Sequence, residues 1–227
     1  MMMDNMDRKY IRQERVFSFT PQLKTDINIL VFAHILLFAV YQILHWSNIG
    51  AQADIVTRHS LALSAHPEDR LSHLWSIFTY PFVHFNVWEV LLSSSMLWLF
   101  GNILSLRLGA KKVLGLYLVC CLAAAGVFLL AYVIFPIYSG EQGMLEGTFC
   151  GVLGVMTAAV VMFSHHEFRV TKRFSVSLLQ VYVISLTAAL FLIIKHDLAS
   201  ITAHLISMYF GYQYAVYLLK SQPSPAA

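Results

Sequence analysis

The fourth apolar stretch of the chain opens with residues 146–154, which read EGTFCGVLG. Gly147, Gly151 and Gly154 are spaced four and three residues apart, so on a helix they form one flat strip that a second backbone can approach closely. Glu146 stands at the start of this strip, and ionisable groups near membrane spans are costly and usually functional. The stretch therefore predicts a tightly packed membrane helix with an acid at one end.

The last apolar stretch carries a matching strip of small residues. Ala203, Ser207 and Gly211 follow one another at intervals of four, and His204 shares a face with Ser207 and Gly211. Because small residues let two helices approach closely, we expect the fourth and sixth apolar stretches to pack along these strips. That contact would bring His204 near the outer end of the fourth stretch, close to Glu146.

The composition is that of an integral membrane protein. Of the 227 residues, 58% are hydrophobic and 12% are charged. Runs of about 20 apolar residues are long enough to cross a bilayer as helices. Six such helices are predicted, at residues 27–45, 88–106, 113–136, 147–164, 176–194 and 199–219. We therefore expect an all-α membrane domain over residues 26–220, with a cytoplasmic segment 1–25 before it and a short tail 221–227 after it.

The distribution of basic residues predicts the orientation. If the N-terminus is cytoplasmic, all but three of the 15 lysines and arginines lie in cytoplasmic segments, the exceptions being Arg58, Arg70 and Lys195. The positive-inside rule then places both termini in the cytoplasm and the Glu146 end of the fourth helix outside. We expect a multi-pass protein of the cell (inner) membrane in contact with lipid. The net charge of +3 gives no ground for nucleic-acid binding.

The long segment 46–87 between the first two helices is dense in aromatic side chains. Such side chains are enriched at the membrane–water interface, so this segment is expected to lie along the membrane surface. The aromatic residues are Trp75, Phe78, Tyr80, Phe82 and Phe85. No phosphate-binding loop and no metal-ligand spacing is present, so neither a cofactor nor a metal is predicted.

Several segments resemble those of the rhomboid intramembrane serine proteases. Residues 75–84, WSIFTYPFVH, are similar to the family's loop before its second helix, and 97–109 contain LWLFG and LRLG, similar to the end of that helix and its turn. Residues 146–154 resemble the family's Gly-x-Ser-Gly helix start. Residues 203–211 resemble its last-helix pattern, with Ser207 in place of one glycine. The resemblance implies a six-transmembrane-helix rhomboid-like bundle with a long interfacial loop between helices 1 and 2.

The resemblance also implies roles for individual residues, and at several of them this sequence departs. In active members a serine at the start of the fourth helix attacks the peptide carbonyl and a histidine on the sixth removes its proton. His204 fits the base position, whereas Glu146 occupies the nucleophile position. The oxyanion-stabilising positions on the second helix hold Glu89 and Ser93, and His84 matches a further family histidine. The resemblance thus implies a degenerate, pseudoprotease member.

Other residues could supply a nucleophile in principle. Attack by Glu146 on an amide would give an anhydride with nothing to stabilise it. Ser139 precedes a glycine, but Glu141 and Gln142 follow where small apolar residues should begin a helix. Cys150 lies one turn deeper than Glu146 on the same face, in an apolar setting that keeps it a thiol. We expect Cys150 to be a buried packing residue.

Two functions of different classes follow. The favoured one is an inactive rhomboid-like protein that binds transmembrane segments of client proteins, with Glu146 and His204 forming a hydrogen-bonded pair and Glu89 and Ser93 lining the opposite wall. The alternative is an active intramembrane serine endopeptidase with an atypical nucleophile. Proton-linked transport is a weaker third possibility, because the chain has no inverted repeat. The sequence specifies neither the client nor the oligomeric state.

His34 lies inside the first apolar stretch and has no partner that the sequence reveals. A single histidine on an apolar helix usually has a structural role. We interpret His34 as a packing or interfacial residue.

Overall fold

The computed structural model describes residues 16–17, 25–47, 49–66, 72–135, 143–163, 167–169, 175–193 and 197–221. Most of these residues belong to six long helices, each of which overlaps one predicted from hydropathy. The helices are α1 (Thr25–His45), α2 (Val87–Leu108), α3 (Ala110–Ile134), α4 (Phe149–Phe163), α5 (Leu178–Ile193) and α6 (Leu198–Lys220). The protein is therefore mostly helical, as predicted.

Three of the described helices are long and apolar enough to cross a membrane. They are Asp26–His45 within α1, the whole of α2 and the whole of α3. α4 and α5 are apolar but shorter than a full span. These helices support an integral membrane protein, and the crossing of all six helices stays a prediction.

Two small β-sheets lie outside the long helices, and the all-α prediction did not include them. Strand β1 (Val16–Phe17) pairs in parallel with β4 (Glu167–Arg169), which pairs antiparallel with β5 (Ser175–Ser177). Strand β2 (Leu63–Ser64) pairs antiparallel with β3 (Met144–Leu145). Hydropathy cannot reveal such short strands. They form because the N–H and C=O groups of connecting segments need hydrogen-bond partners.

The connection between α1 and α2 is itself structured and is joined to the residues before α4. It contains a short helix (Gly50–Val56), a π-helical turn (Thr57–Leu61), β2, one helical turn (Ser76–Thr79) and a 3₁₀ turn (Tyr80–Phe82). In the β2–β3 pair, Leu63 lies opposite Leu145. The Ala65 N–H extends the pair by donating to the Gly143 carbonyl at 2.9 Å. The connection therefore holds the chain directly before Glu146.

One aromatic residue of this connection contradicts the interfacial prediction. Trp75 and Phe78 are 50% and 64% exposed, as interfacial side chains should be, whereas Tyr80 is fully buried. The Tyr80 hydroxyl donates to the Cys121 carbonyl of α3 at 2.8 Å. Its own carbonyl accepts from the Gly147 N–H at 3.0 Å. Tyr80 is buried because both its polar groups find partners inside the protein.

Helix α4 forms the centre of the bundle. Of its 15 residues, 13 are buried, and it packs against α2, α3, α5 and α6. A helix that is surrounded on all sides has no polar face, which explains why α4 is apolar all round. By contrast α1 exposes apolar side chains such as Ile29, Phe32 and Ile43.

The closest helix contact joins α4 to α6 at the two small-residue strips. A Cβ atom added to Gly211 would overlap the carbonyl group of Gly154. A Cβ added to Gly154 would overlap the Cys120 side chain and would lie 3.0 Å from the Ser207 carbonyl oxygen. The predicted contact between these helices is therefore confirmed at Gly154 and Gly211. Gly151 instead faces α3, where an added Cβ would overlap Tyr117.

Ser207 links α6 to α3 next to this contact. Its hydroxyl donates to the Cys120 carbonyl of α3 at 3.2 Å and to the Ala203 carbonyl of its own helix at 3.0 Å. The Cys120 thiol in turn donates to the Ser207 carbonyl at 3.6 Å. Small polar side chains of this kind join helices in an apolar medium.

We predict that Gly211→Ala destabilises the protein by about 1–3 kcal/mol, because the methyl group would force α4 and α6 apart. The measurement is the thermal unfolding midpoint of the purified protein in detergent. Gly126→Ala on α3 is the matched control, because a Cβ there meets nothing within 4 Å. We expect it to be neutral or stabilising by up to about 1 kcal/mol. Equal midpoints for the two variants would contradict the close α4–α6 contact.

Candidate functional site at the start of α4

The turn before α4 has a defined conformation. Gly147 has φ of +80°, which is in the left-handed region that glycine adopts without strain. Its N–H donates to the Tyr80 carbonyl. The next side chain, Thr148, is buried and hydrogen-bonds to the Tyr117 hydroxyl of α3. These contacts position the turn between α2 and α3.

Glu89 lies against this turn. It is buried in the first turn of α2, whose N-terminus is capped by Asn86 accepting the Trp88 N–H at 2.9 Å. The Oε1 atom of Glu89 occupies the space that a Cβ on Gly147 would need. The same atom is 3.9 Å from Nδ1 of His84. The structure therefore brings together Glu89, His84 and Gly147, three of the residues selected from the sequence.

His84 is neutral in this environment. Burial, together with neighbouring His34, lowers the pKa of its ring to about 3. At 3.9 Å the contact with Glu89 is too long for a hydrogen bond, and a neutral ring makes no ion pair. Among the described residues, neither ring nitrogen of His84 has a hydrogen-bond partner.

Glu146 is the second carboxyl group at this turn. Burial raises its pKa to about 7, and the charge of Arg58 opposes that shift. Glu146 lies close enough to Glu89 for the charges of the two carboxyl groups to interact. The Arg58 guanidinium stacks on the Phe85 ring, 4.3 Å from its centroid. Two acids thus converge where the resemblance places a nucleophile and an oxyanion donor.

Ser93, at the second oxyanion position, hydrogen-bonds within its own helix. It is buried, and its hydroxyl donates to the Glu89 carbonyl at 2.7 Å. A serine bonded to the carbonyl four residues earlier is a common arrangement inside helices. In the described structure the single O–H of Ser93 therefore donates to a backbone carbonyl.

His204 is buried in the second turn of α6. Its Nδ1 lies 2.6 Å from the Ser200 carbonyl. Because a carbonyl only accepts, Nδ1 carries the proton of the neutral ring. The start of α6 is capped by Asp197, which accepts the Ser200 N–H at 2.6 Å and the Tyr132 hydroxyl at 2.8 Å. The predicted hydrogen bond to Glu146 stays a prediction.

Of the two other candidate nucleophiles, Ser139 and Cys150, the structure describes only Cys150. Ser139 lies outside the described residues. Cys150 is fully buried and is a free thiol. Its neighbours include Tyr80, Cys121 and Ser207. The prediction of a buried cysteine is confirmed. In the described part of the chain, no group of three or more His, Cys, Asp or Glu side chains could hold a metal ion.

A buried hydrogen-bond chain, which was not predicted from the sequence, connects the turn to α1. His34 Nδ1 donates to the Leu30 carbonyl at 3.0 Å, so its Nε2 must accept the Tyr117 hydroxyl at 2.9 Å. Tyr117 then accepts from Thr148. His34 therefore has a specific partner, which corrects the interpretation of a side chain that only packs. A histidine and a tyrosine inside apolar helices were the only signal in the sequence.

The segment that contains most of these site residues matches a known protein family. Residues 71–221, more than half of the chain, match the family model of the rhomboid domain. No curated protein matches the chain. The matched range includes α2 to α6 and every site residue described above except Leu30, His34 and Arg58.

We predict that Glu146→Gln stabilises the protein increasingly as pH rises. The folded-state pKa of about 7 lies above the ordinary value of 4.5. The folded state therefore binds the proton more tightly, and the stability that this contributes below pH 4.5 is lost as pH rises to about 7. The difference in unfolding midpoint between variant and wild type should grow across this window and then level off. The exposed Glu167→Gln is the control. A pH-independent difference would contradict a raised pKa for the partly buried Glu146.

We also predict that Tyr117→Phe destabilises the protein by about 1–3 kcal/mol, because it leaves His34 Nε2 and the Thr148 hydroxyl buried without their partner. The free energy of unfolding is measured in a denaturant titration in mixed micelles. Tyr182→Phe is the matched control, because that hydroxyl lies 3.2 Å from Thr157 at a half-buried site. A smaller loss for Tyr117→Phe than for Tyr182→Phe would rule out a structural role for the buried chain.

Proposed function

The chain belongs to the rhomboid family, and from this premise we propose that it is a rhomboid-like membrane protein without protease activity. Its role is to bind transmembrane segments of client proteins between its helices. The proposal includes six membrane spans with both termini in the cytoplasm, an orientation supported by the distribution of lysine and arginine.

The observation that carries the proposal is the position of the Glu89 carboxyl group against Gly147. Hydrolysis of a peptide bond requires hydrogen-bond donors where negative charge develops on the carbonyl oxygen. Loss of one such donor costs roughly 100- to 1000-fold in rate. At the position where the family has a donor, this protein has a carboxyl group, with Glu146 beside it. A carboxyl group can donate a hydrogen bond there only while it is protonated, and once ionised it would repel the oxyanion.

The hydroxyl groups near the turn also favour the inactive function. Glu146 is not an alcohol, and Thr148, two residues later, is bonded to Tyr117. Ser93 and Ser207 donate to backbone carbonyls. A serine nucleophile has to be hydrogen-bonded to its base instead.

Helix α5 offers a route for a client segment. Only three of its 16 residues are buried, and it contacts α2 and α4. A helix with so little buried surface can move at low cost. A client span that is weakly helical would present unpaired backbone groups. Those groups could hydrogen-bond to the carboxyl groups of Glu89 and Glu146.

The second candidate is an active endopeptidase, and one observation favours it. His204 occupies the position that the resemblance assigns to the base, and the Ser200 carbonyl holds the proton on Nδ1. This tautomer gives Nε2 the lone pair that a general base needs. The two candidates differ in what a change at His204 does.

The test uses purified protein in liposomes with a single-span peptide that carries a Gly-Pro pair in its membrane segment. We expect no cleavage by mass spectrometry and equal peptide binding, measured by energy transfer, for wild type and His204→Ala. Replacing Gly-Pro by Leu-Leu should weaken binding by about fivefold or more, because the polar backbone is lost. An active rhomboid protease is the positive control. Cleavage by the wild type that stops in His204→Ala would establish the protease instead.

A further inference from the structure

Two carboxyl groups beside the turn before α4 have no basic side chain paired with them. Glu89 lies in the first turn of α2, and Glu146 lies close enough for the charges of the two groups to interact. Within the part of the chain that the structure describes, no lysine or arginine forms an ion pair with either group. A desolvated carboxylate without a cation or hydrogen-bond donors is costly. The pair is therefore suited to a ligand that brings positive charge.

Arg58 supplies positive charge to this region, but its charge is shared. It acts on Glu146 and also on Asp54 of the same connection. The guanidinium itself stacks on the Phe85 ring, 4.3 Å from the centroid. Glu89 is a third carboxyl group in this region. One arginine cannot neutralise three carboxylates, so the region is short of cations.

Both members of the acidic pair have surface that a ligand can contact. Glu146 is partly buried. The Glu89 side chain is 9% exposed, whereas the His84 side chain next to it is 0% exposed. Gly147, against which Glu89 lies, adds no side chain that could cover the pair. A ligand at this site therefore contacts the two acids and not the imidazole.

The buried ring of His84 points at Glu89 from the protein side. Its Nδ1 atom is 3.9 Å from Oε1 of Glu89, and within the described residues neither ring nitrogen has a hydrogen-bond partner. Buried polar groups are almost always hydrogen-bonded. A shift of the carboxyl group by about 1 Å would let Nδ1–H donate to Oε1. Ionised Glu89 would then have one oxygen bonded to His84 and the other oxygen available to a cationic ligand.

The position of the acids indicates where that cation comes from. They lie at the start of α4 and the start of α2, which the predicted orientation places at the outer end of the bundle. A lysine or arginine near the end of a client's transmembrane segment extends its charged group toward the same level. Such a group carries hydrogen-bond donors and no acceptor, which matches carboxylate oxygens.

We propose that Glu146 and Glu89 bind the ammonium or guanidinium group of a basic residue in the outer part of a client's transmembrane segment. This inference rests on the proposed function and adds which clients are selected. A basic side chain is costly inside a membrane span, so a client that carries one gains from an acidic partner.

The experiment uses purified protein in liposomes and two single-span peptides that contain the Gly-Pro pair. One peptide has a lysine in the outer third of its apolar segment, and the other has a methionine of similar length there. Binding is measured by energy transfer. At pH 8 we expect the wild type to bind the lysine peptide about tenfold more tightly, because the ammonium meets two carboxyl groups.

Two protein variants test the assignment to this pair. Glu146→Gln and Glu89→Gln should each reduce the preference for lysine to about threefold or less, because each removes one negative charge. Glu146→Gln is expected to be stable, so its result does not depend on a folding defect. Glu167→Gln, an exposed change in another connection, is the control and should keep the full preference.

The preference for lysine should also depend on pH. Burial raises the pKa of Glu146 to about 7, so Glu146 is ionised at pH 8 and protonated at pH 5.5. The preference should fall from about tenfold to about threefold across this range, and in Glu146→Gln this fall should be much smaller. The charged or titratable groups on the elements around Glu146 are Tyr41, Asp54, Arg58, His84 and Glu89.

The possible failures are distinguishable. Equal binding of the lysine and methionine peptides by the wild type would overturn this inference and leave the proposed function standing. An undiminished preference in Glu146→Gln would overturn it as well, because the cation would then bind elsewhere. If neither peptide binds, the proposed function itself is wrong, and the selection of basic clients fails with it.

Discussion

The close approach of Gly154 to Gly211 is the constraint on which the rest of the structure depends. It allows the backbones of α4 and α6 to touch, so that α4 can be enclosed by four helices at once. In a lipid environment the association of helices depends on such packing, because lipid tails are as apolar as the side chains. The Ser207 hydroxyl adds α3 to this contact through the Cys120 carbonyl. The position of every site residue on α4 and α6 follows from this contact.

The acids at the start of α4 are costly to bury, and their surroundings show how the protein accommodates them. Glu89 lies in the first turn of α2, directly after the Asn86 cap. Glu146 has Arg58 as an electrostatic partner. Neither acid is in a place that hydrophobic packing would select. Ionisable residues next to membrane spans are usually functional, and this supports the proposed recognition of polar client backbone.

Local pattern and long-range pairing differ in how well the sequence reveals them. Hydropathy was enough to locate the six helices, and the spacing of small residues was enough to predict the contact at Gly154 and Gly211. The contact of Glu89 with Gly147 was predicted only in part. The family resemblance placed both residues at one site, but it did not predict that the carboxyl group packs against the turn. The bonds from His34 to Tyr117 and from Tyr80 to Cys121 join residues 83 and 41 positions apart. No periodicity encodes such pairs, so single-sequence reasoning missed them.

Leu63–Ser64, in the connection between α1 and α2, pair antiparallel with Met144–Leu145. This pairing determines the backbone path of the chain just before the turn that precedes α4. The backbone of residues 143–145 takes its path from a segment about 80 positions earlier in the chain. A change of length in that early segment would move the acid at 146 relative to α2 without altering any of the six long helices. The position of Glu146 can therefore change through a connecting segment, where insertions and deletions are tolerated best.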